Sequence, residues 1–409
     1  MFLGSAAAIM VPAVLFKVVF GHQEPALDAL IFGSAIVAGA FLLAWGAEAA
    51  QVEISAGLAI AAVALLTVLP EYAIDMTFAW KAGTDPALPA FLAAPEVVEA
   101  PSSLALPAAN LTGANRLLSG LGWPLVILLF WWRRRQGVRL TPALTPEIFV
   151  LGVAALYSTV IFVRGEIALW DSAVLIVLFG SYLWLISRTG AEGEEGLIGP
   201  PAMIAAFEKV PRRLIIAALF IVPGIVIGIS AGPFADGLVD TGEQFGIDRF
   251  ILVQWLAPLA SEAPEILVAI IFTLRGNPIF GIAALVSASA NQWTLLVASL
   301  PVVFSLGLGE AHALPLDARQ TAEVFLTMAQ IVFAVTLISK LRVGWVGAGV
   351  LFVLFVSHLF FPGTAERYAY GGIFLAMTAI MLIVQPVHAA GLRDRTTGFF
   401  RMFKERAKL

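Results

Sequence analysis

The fold is decided by TVLPEYAIDM at residues 67–76 and SEAPEILVAI at residues 261–270, two segments that each place a Pro-Glu pair inside a long apolar run. Alignment of Glu71 with Glu265 also aligns the preceding prolines and a hydroxyl residue at the start of each segment. The segments fall in the third and the eighth apolar runs, so their helices would cross a membrane in opposite directions. This pairing predicts an inverted repeat, the architecture of many secondary transporters.

The composition indicates a membrane protein. Of the 409 residues, 60% are hydrophobic and only 13% are charged, whereas soluble domains carry about 25% charged residues. The mean hydropathy is +0.93. Cysteine is absent, which excludes disulfides, thiolate metal sites and cysteine nucleophiles. The sequence therefore predicts an all-α polytopic membrane protein surrounded by the lipid bilayer, with no soluble domain and no nucleic-acid partner.

Apolar runs of spanning length predict about twelve transmembrane helices. Their predicted limits are 4–20, 27–50, 54–81, 105–132, 147–164, 168–187, 213–237, 247–275, 278–309, 318–340, 343–361 and 367–387. Two inverted five-span repeats are predicted at 27–187 and 213–361, joined by a cytoplasmic linker at 188–212 that contains an acidic run. One extra span precedes them at 1–26, and 362–409 adds another span and a basic tail.

Basic residues collect on one side of the predicted membrane. Under a twelve-span count, the loops that contain Arg133, Arg212 and Lys340 lie on the same side as the C-terminal tail. The positive-inside rule makes that side cytoplasmic. We therefore predict a protein of the bacterial plasma (inner) membrane with both termini in the cytoplasm. The first span is retained in this prediction, because it lacks a basic region and a cleavage site.

The Pro-Glu pairs carry the predicted ion site. A proline inside a spanning helix displaces the carbonyl one turn earlier, near Thr67 or Ser261, and that carbonyl needs a partner in hydrocarbon. Glu71 and Glu265 supply anionic oxygen at the same depth, although a charge there costs about 2.5 kcal/mol or more. Carboxylate, hydroxyl and carbonyl oxygens together form a cage suited to Ca²⁺ or Na⁺. For either glutamate alone, an interhelical hydrogen bond is the structural alternative.

Two further predicted spans, 105–132 and 278–309, are interrupted by proline, glycine or polar residues. Interrupted segments at corresponding positions of two repeats point to a transport site. Asn115 and Asn291 lie in these segments, and their amide oxygens would extend the oxygen cage. The alternative is that both amides join neighbouring helices through hydrogen bonds.

These segments resemble a known family. GAEAAQVEISAGLAIAAVALLTVLPE at 46–71, GIDRFILVQWLAPLASEAPEILVAIIFTLRGN at 246–277 and GIAALVSASANQWTLL at 281–296 are similar to the repeats of the calcium/cation antiporter superfamily, the sodium/calcium exchanger family. The resemblance covers roughly residues 44–132 and 232–309. It implies ten core spans in two inverted bundles, alternating access by a sliding two-span gate, transported cations as substrates and no cofactor. It fits bacterial-type members without a large regulatory loop.

The sequence departs from the family pattern near the site. In the family's Thr-Ser-x-Pro-Glu motif, valine follows Thr67, and the second copy gains a third carboxylate, Glu262. The two asparagines are followed by Arg116 and by Gln292. We hypothesise that Arg116 and Glu262 form a compensating pair, the alternative being an arginine that snorkels or caps a helix. Asp75 and Gln292 are further candidates for modulating the site, and for Asp75 a pore-lining role is the alternative.

The predicted function is secondary active cation antiport of the sodium/calcium exchanger type. It would move Ca²⁺ or another cation against Na⁺ or H⁺, and the lost hydroxyl with the gained glutamate favours H⁺. The chain has no P-loop, so an ion gradient would supply the energy. The alternatives are a sodium/proton antiporter of the same fold, a cation channel and an intramembrane enzyme. The last would need a His-Glu-x-x-His cluster, which the sequence lacks.

Overall fold

The structure is a computed structural model. It describes residues 2–21, 24–50, 52–53, 68–95, 97–188, 197 and 199–406. Two predictions lie outside these residues. The first is the hydroxyl of Thr67 together with the first half of the third predicted span, and the second is the acidic run of the linker at 192–195.

The described chain is almost entirely helical. The helices are α1 Phe2–Leu15, α2 Pro25–Ala50, α3 Leu69–Gly83, α4 Leu88–Ala93, α5 Leu106–Leu117, α6 Trp123–Arg134, α7 Thr145–Arg164, α8 Leu169–Arg188, α9 Pro200–Ala205, α10 Lys209–Phe245, α11 Arg249–Leu274, α12 Pro278–Asn291, α13 Val297–Leu308, α14 Ala318–Ile338, α15 Trp345–His358, α16 Thr364–Val384 and α17 Pro386–Arg406. Three π-helical turns occur at Phe16–Phe20, Leu118–Gly122 and Gln292–Leu296, and 3₁₀ turns occur at Ser102–Ala105 and Pro142–Leu144. Four two-residue strands are β1 Val138–Arg139, β2 Glu166–Ile167, β3 Leu314–Pro315 and β4 Arg342–Val343.

Eight described helical stretches are long and apolar enough to cross a membrane. A ninth is obtained if the parts of α11 on either side of Pro264 count as one span. Leu3–Val19 and Trp345–His358 are shorter apolar helices. The all-α polytopic fold is therefore confirmed, whereas the count of twelve spans stays a prediction.

The helix limits differ from the predicted spans where polar residues continue a helix. α10 extends from Lys209 to Phe245, beyond both predicted limits of 213 and 237. Hydropathy locates only the apolar part of a helix, whereas backbone hydrogen bonds continue through its polar ends. Inside the predicted linker, α9 forms a short helix.

The chain divides into two compact units. Unit 1 comprises residues 1–78 and 186–264, and unit 2 comprises residues 79–185 and 265–409. These units cut across the two predicted repeats, and the repeat boundaries stay a prediction.

In unit 1, α2 packs against the long helix α10. Small residues on α2 allow the backbones to approach closely: a Cβ added at Gly46 would lie 2.9 Å from the Cβ of Leu219. On α10, a Cβ added at Gly237 would lie 2.7 Å from the backbone nitrogen of Ala29. Helix pairs in membranes associate through such small-residue contacts, since lipid provides no hydrophobic drive between helices.

One end of this helix pair carries an ionic clasp. Glu53, three residues beyond the end of α2, forms ion pairs with Arg212 and Arg213 of α10. The hydrogen bonds from the two guanidiniums lower the pKa of the Glu53 carboxyl below its ordinary value of 4.5, with Arg213 the larger cause. The two ion pairs therefore link the end of α2 to α10 at any pH at which the Glu53 carboxylate is ionised.

In unit 2, α14 lies at the centre of the core and packs against α5, α7 and α16. Two antiparallel ladders join helix ends, β1 with β4 and β2 with β3. The same sequence offset leads from Asn115 to Asn291, from β1 to β3 and from β2 to β4. Exchange of the strands related by this offset, β1 with β3 and β2 with β4, converts one ladder into the other, as expected of an internal repeat.

Candidate cation-binding site

In unit 1, Glu71 and Glu262 form a close pair of buried carboxylates. Both residues are 1% exposed, and a carboxylate oxygen of each lies within 4.8 Å of one of the other. Ca²⁺ binds oxygens at 2.3–2.6 Å, so two oxygens on one ion lie at most about 5 Å apart. Two buried carboxylates at this separation cannot both stay charged without a cation or a proton between them. The pair therefore has the spacing of a cation site.

Glu265 follows Glu262 by one turn of α11. The residue is partly buried. Pro264 comes immediately before it and cannot donate a hydrogen bond to the carbonyl one turn earlier. Glu265, which aligns with Glu71, therefore follows an interruption of the helical hydrogen bonds.

The other predicted ligand on this part of α11 is Ser261, which is fully buried. Its hydroxyl donates to the carbonyl of Ala257 at 3.3 Å, so the hydroxyl oxygen can still accept a bond or bind a cation. Asp75, one turn after Glu71, is also fully buried. Thr67 lies outside the described residues.

In unit 2, Asn115, Asn291 and Gln292 are fully buried. The amide nitrogen of Asn115 donates to the carbonyl of Leu111 at 3.3 Å. Its amide oxygen is buried and has no hydrogen-bond donor among the described residues. A buried amide oxygen without a hydrogen-bond donor is costly in an apolar core, and a bound cation would remove that cost.

The predicted interruptions of the two asparagine segments take the form of π-helical turns. One turn, Leu118–Gly122, follows α5, and the other, Gln292–Leu296, follows α12. A π-turn disturbs the regular pairing of carbonyls one turn before it, and hydroxyl groups meet those carbonyls here. Ser119 donates to the carbonyl of Asn115 at 2.7 Å, and Thr294 donates to the carbonyl of Ala290 at 2.6 Å.

Arg116 has a partner that sequence reasoning did not identify. Its Nη2 lies 2.5 Å from Oε2 of Glu323, and both side chains are fully buried. Glu323 also pairs with Arg367. The sequence did contain a signal, since Glu323 is an acidic residue inside an apolar predicted span and such residues are rare. Glu262, the partner predicted from the sequence, belongs to the other unit, and that pairing stays a prediction.

Each unit therefore contains part of the predicted set. Glu71 and Glu262 form a close pair in unit 1, where Ser261 is also buried, and Asn115, Asn291 and Gln292 are buried in unit 2. Buried carboxylates and amides on interrupted apolar helices define the class as an ion-transporting integral membrane protein.

The sequence profile of the sodium/calcium exchanger protein family matches residues 27–188 and 215–363. The chain belongs to this family, within the calcium/cation antiporter superfamily. It is a cation antiporter whose substrates are inorganic cations, and it is not an enzyme.

Solved structures agree with the family assignment. The crystal structure of the H⁺/Ca²⁺ exchanger CAX is 35% identical, with a TM-score of 0.91, and the match covers 98% of each chain. The structure of native YfkE is 15% identical, with a TM-score of 0.59 over 88% of this chain and 98% of that chain. The sodium-calcium exchanger NCX_Mj is 16% identical, with a TM-score of 0.51 over 83% of this chain and 98% of that chain. The last two matches establish a shared fold. A comparison with curated proteins finds no match to this chain.

Proposed function

We propose that this protein exchanges Ca²⁺ for H⁺ across the bacterial plasma membrane. The observation that carries the proposal is the buried pair of Glu71 and Glu262, whose carboxylate oxygens lie within 4.8 Å of each other. A relative with 35% identity over 98% of each chain, the H⁺/Ca²⁺ exchanger CAX, supports the choice of proton over sodium.

In this proposal the central ligands are Glu71 and Glu265, which meet near the middle of the membrane. Glu262, Ser261 and Thr67 add oxygens from the Pro-Glu segments, and Asn115 and Asn291 add amide oxygens. Asp75, Gln292 and Arg116 modulate the site. Ca²⁺ takes six to eight oxygen ligands, so water would complete the shell.

The exchange follows from the chemistry of the carboxylates. When Ca²⁺ leaves toward one side of the membrane, protons from that side neutralise the buried carboxylates, which restores a state of low charge. The protonated site then turns to the other side, loses its protons and binds Ca²⁺ again. A carboxylate can carry a proton or a share of Ca²⁺, but not both at once, and this competition couples the two fluxes.

The sidedness of the proposal comes from the basic loops. Both termini lie in the cytoplasm, so the tail with α17 and the Glu53 clasp are cytoplasmic. Single-cysteine labelling can test this, because the chain has no native cysteine. Labelling of a cysteine at residue 408 from the outside of intact cells would overturn the orientation.

The experiment that tests the function is Ca²⁺ flux in proteoliposomes under one imposed gradient at a time. With an acidic interior and symmetrical Na⁺, we expect Ca²⁺ to accumulate and the interior to become more alkaline. Collapse of the pH gradient by an ionophore should abolish accumulation. Ca²⁺ accumulation driven by a Na⁺ gradient and indifferent to the pH gradient would overturn proton coupling. Ca²⁺ flux that never runs against its own gradient would overturn antiport.

A further inference from the structure

A buried network of charges joins four helices of unit 2. The Arg116 guanidinium on α5 contacts Glu323 of α14 through Nη2 at 2.5 Å. Its Nη1 contacts Nε2 of His358, the last residue of α15, at 3.0 Å. The second carboxylate oxygen of Glu323 accepts from Nε of Arg367 on α16. Arg116, Glu323, Arg367 and His358 are 0%, 0%, 4% and 5% exposed, so water does not screen the network.

The bonds of His358 show that it enters the network as a neutral imidazole. Its Nδ1 contacts the carbonyl of Phe355, which can only accept. Its Nε2 contacts a guanidinium nitrogen of Arg116, which can only donate. The tautomer with the proton on Nδ1 satisfies both contacts. Glu323 is then a single carboxylate that bridges two permanent positive charges.

The outer end of the network lies on α16, beyond the part of the chain that matches the family profile. The family match ends at residue 363, and α16 begins at Thr364. Arg367 is in the first turn of α16, where Nη1 donates to the carbonyl of Pro362 and Nε donates to Glu323. These two bonds fix the guanidinium between the start of α16 and the N-terminal part of α14.

The inner end of the network lies beside a predicted cation ligand. Arg116 follows Asn115 directly in α5. Two helical turns after Glu323 on α14, Gln330 donates to the carbonyl of Arg116 at 3.1 Å and to Ser119 Oγ at 2.8 Å. Ser119 in turn donates to the carbonyl of Asn115 at 2.7 Å. α14 therefore holds both the side chain and the backbone of the segment that carries Asn115.

We propose that Arg367 of the C-terminal helix α16 is a positioning residue for cation binding. It acts through Glu323 and Arg116 to set the orientation of Asn115, so that the extra C-terminal span contributes to the affinity of the site. This inference rests on the proposed function for the identity of the cation. Because each oxygen of the Glu323 carboxylate contacts one arginine, loss of Arg367 frees the carboxylate to rotate, which shifts Arg116 and the turn at Asn115.

The test measures the Ca²⁺ dependence of transport in R367Q, R367K and wild type. For R367Q we expect the half-saturating Ca²⁺ concentration to rise about tenfold, in the range by which residues outside a site modulate it, with maximal flux per folded molecule nearly unchanged. R367K should restore most of the affinity, since lysine keeps the charge. The matched control is R393Q, which removes an exposed arginine from α17 and should leave both parameters unchanged.

A purely structural role would lower the yield or thermal stability of R367Q and leave the half-saturating Ca²⁺ concentration of the folded protein at the wild-type value. That result would overturn the proposal. If R367Q is not recovered folded, E323D tests the same point, because it keeps the charge and shortens the reach of the carboxylate between the two arginines. Wild-type half-saturating Ca²⁺ in folded E323D would again overturn the proposal. If Ca²⁺ flux in wild type follows Na⁺ rather than H⁺, the proposed coupling fails, while Ca²⁺ half-saturation still tests Arg367.

Discussion

Arg116 and Glu323 form an ion pair in which both side chains are fully buried and Nη2 lies 2.5 Å from Oε2. Removal of one partner leaves the other charged and buried, which typically costs 3–5 kcal/mol. The pair joins α5 to α14 within unit 2, and it therefore links a helix of the first predicted repeat to one of the second.

The first prediction is that R116M and E323Q each destabilise the protein by about 3 kcal/mol. The double variant should lose less than the sum, with a coupling free energy between about 0.5 and 3 kcal/mol. Equilibrium unfolding in mixed micelles, followed by tryptophan fluorescence, measures the four free energies. Additive effects would show that the ion pair contributes nothing beyond its separate side chains.

The same type of cycle decides whether Arg116 also balances Glu262, as the sequence suggests. If Arg116 balances Glu262, R116A should raise cation affinity and shift the pH dependence of transport, because a permanent positive charge is removed. If Arg116 acts only by orienting Asn115, R116A should lower the affinity as R367Q does. Addition of E262A should restore much of the original behaviour. Ca²⁺ flux measured over a range of pH values tests this, and independent effects of the two substitutions would remove the pairing from the mechanism.

The Pro-Glu glutamates give a third prediction. E71Q and E265Q should each abolish Ca²⁺ transport, because the amide keeps the shape of the side chain and loses the charge that binds the ion. Thermal stability should be retained, since no buried charge remains to be compensated. E310Q is the matched control, because Glu310 is exposed. The E310Q variant should transport Ca²⁺ at the wild-type rate. A normal rate in either E71Q or E265Q would make that glutamate a structural residue.

A glycine contact in unit 2 gives a stability prediction. A Cβ added at Gly83 of α3 would lie 2.3 Å from the carbonyl oxygen of Phe304 on α13, a backbone atom that cannot rotate away. G83A should destabilise the protein by about 1–3 kcal/mol, the usual effect of overpacking. The control is G349A on α15, where an added Cβ meets nothing within 4 Å. Equal unfolding curves for G83A and wild type would mean that the two helices are not held at this separation.

The Glu53 clasp gives a prediction about pH. Its pairs with Arg213 and Arg212 lower the pKa of Glu53 in the folded protein below the ordinary value of 4.5. A carboxylate with a lowered folded pKa stabilises the fold above the unfolded pKa and loses that effect as pH falls through the folded pKa. The melting temperature of E53Q should therefore lie below that of wild type above about pH 4.5, and the difference should vanish on acidification.

Salt and a second variant check the cause of that effect. The difference between wild type and E53Q should shrink at high ionic strength, because the pairs are accessible to solvent. E208Q removes a nearby carboxylate before the start of α10 and should show no such pH dependence. A difference between wild type and E53Q that does not shrink at all on acidification would point to packing rather than charge.

Several features of the molecule could be read from the chain alone because they depend on local composition. Apolar runs must become helices in a bilayer, since every backbone group needs an internal partner, and this determined the all-α fold. Proline followed by glutamate inside such a run is costly, and this singled out Glu71 and Glu265. The proline, glycine and polar residues in the spans of Asn115 and Asn291 predicted interruptions of those helices, and the structure shows them as π-turns.

Other features depended on which distant residues meet. Glu323 stands out in its apolar span, but the sequence does not say which arginines it meets. Its pairing with Arg116 and Arg367 arises only because α14 packs between α5 and α16. The helix limits of α10 and the ladder between β1 and β4 are likewise set by backbone hydrogen bonds that hydropathy does not detect.

By itself, the sequence determined the membrane class, the helical fold and the type of chemistry at the Pro-Glu segments, because each follows from the cost of placing particular groups in hydrocarbon. Only the tertiary structure decided that Glu262 lies against Glu71 and that Arg116 is held by Glu323. A charge needs a partner within a few ångströms, and packing of helices far apart in the chain decides which partner it finds.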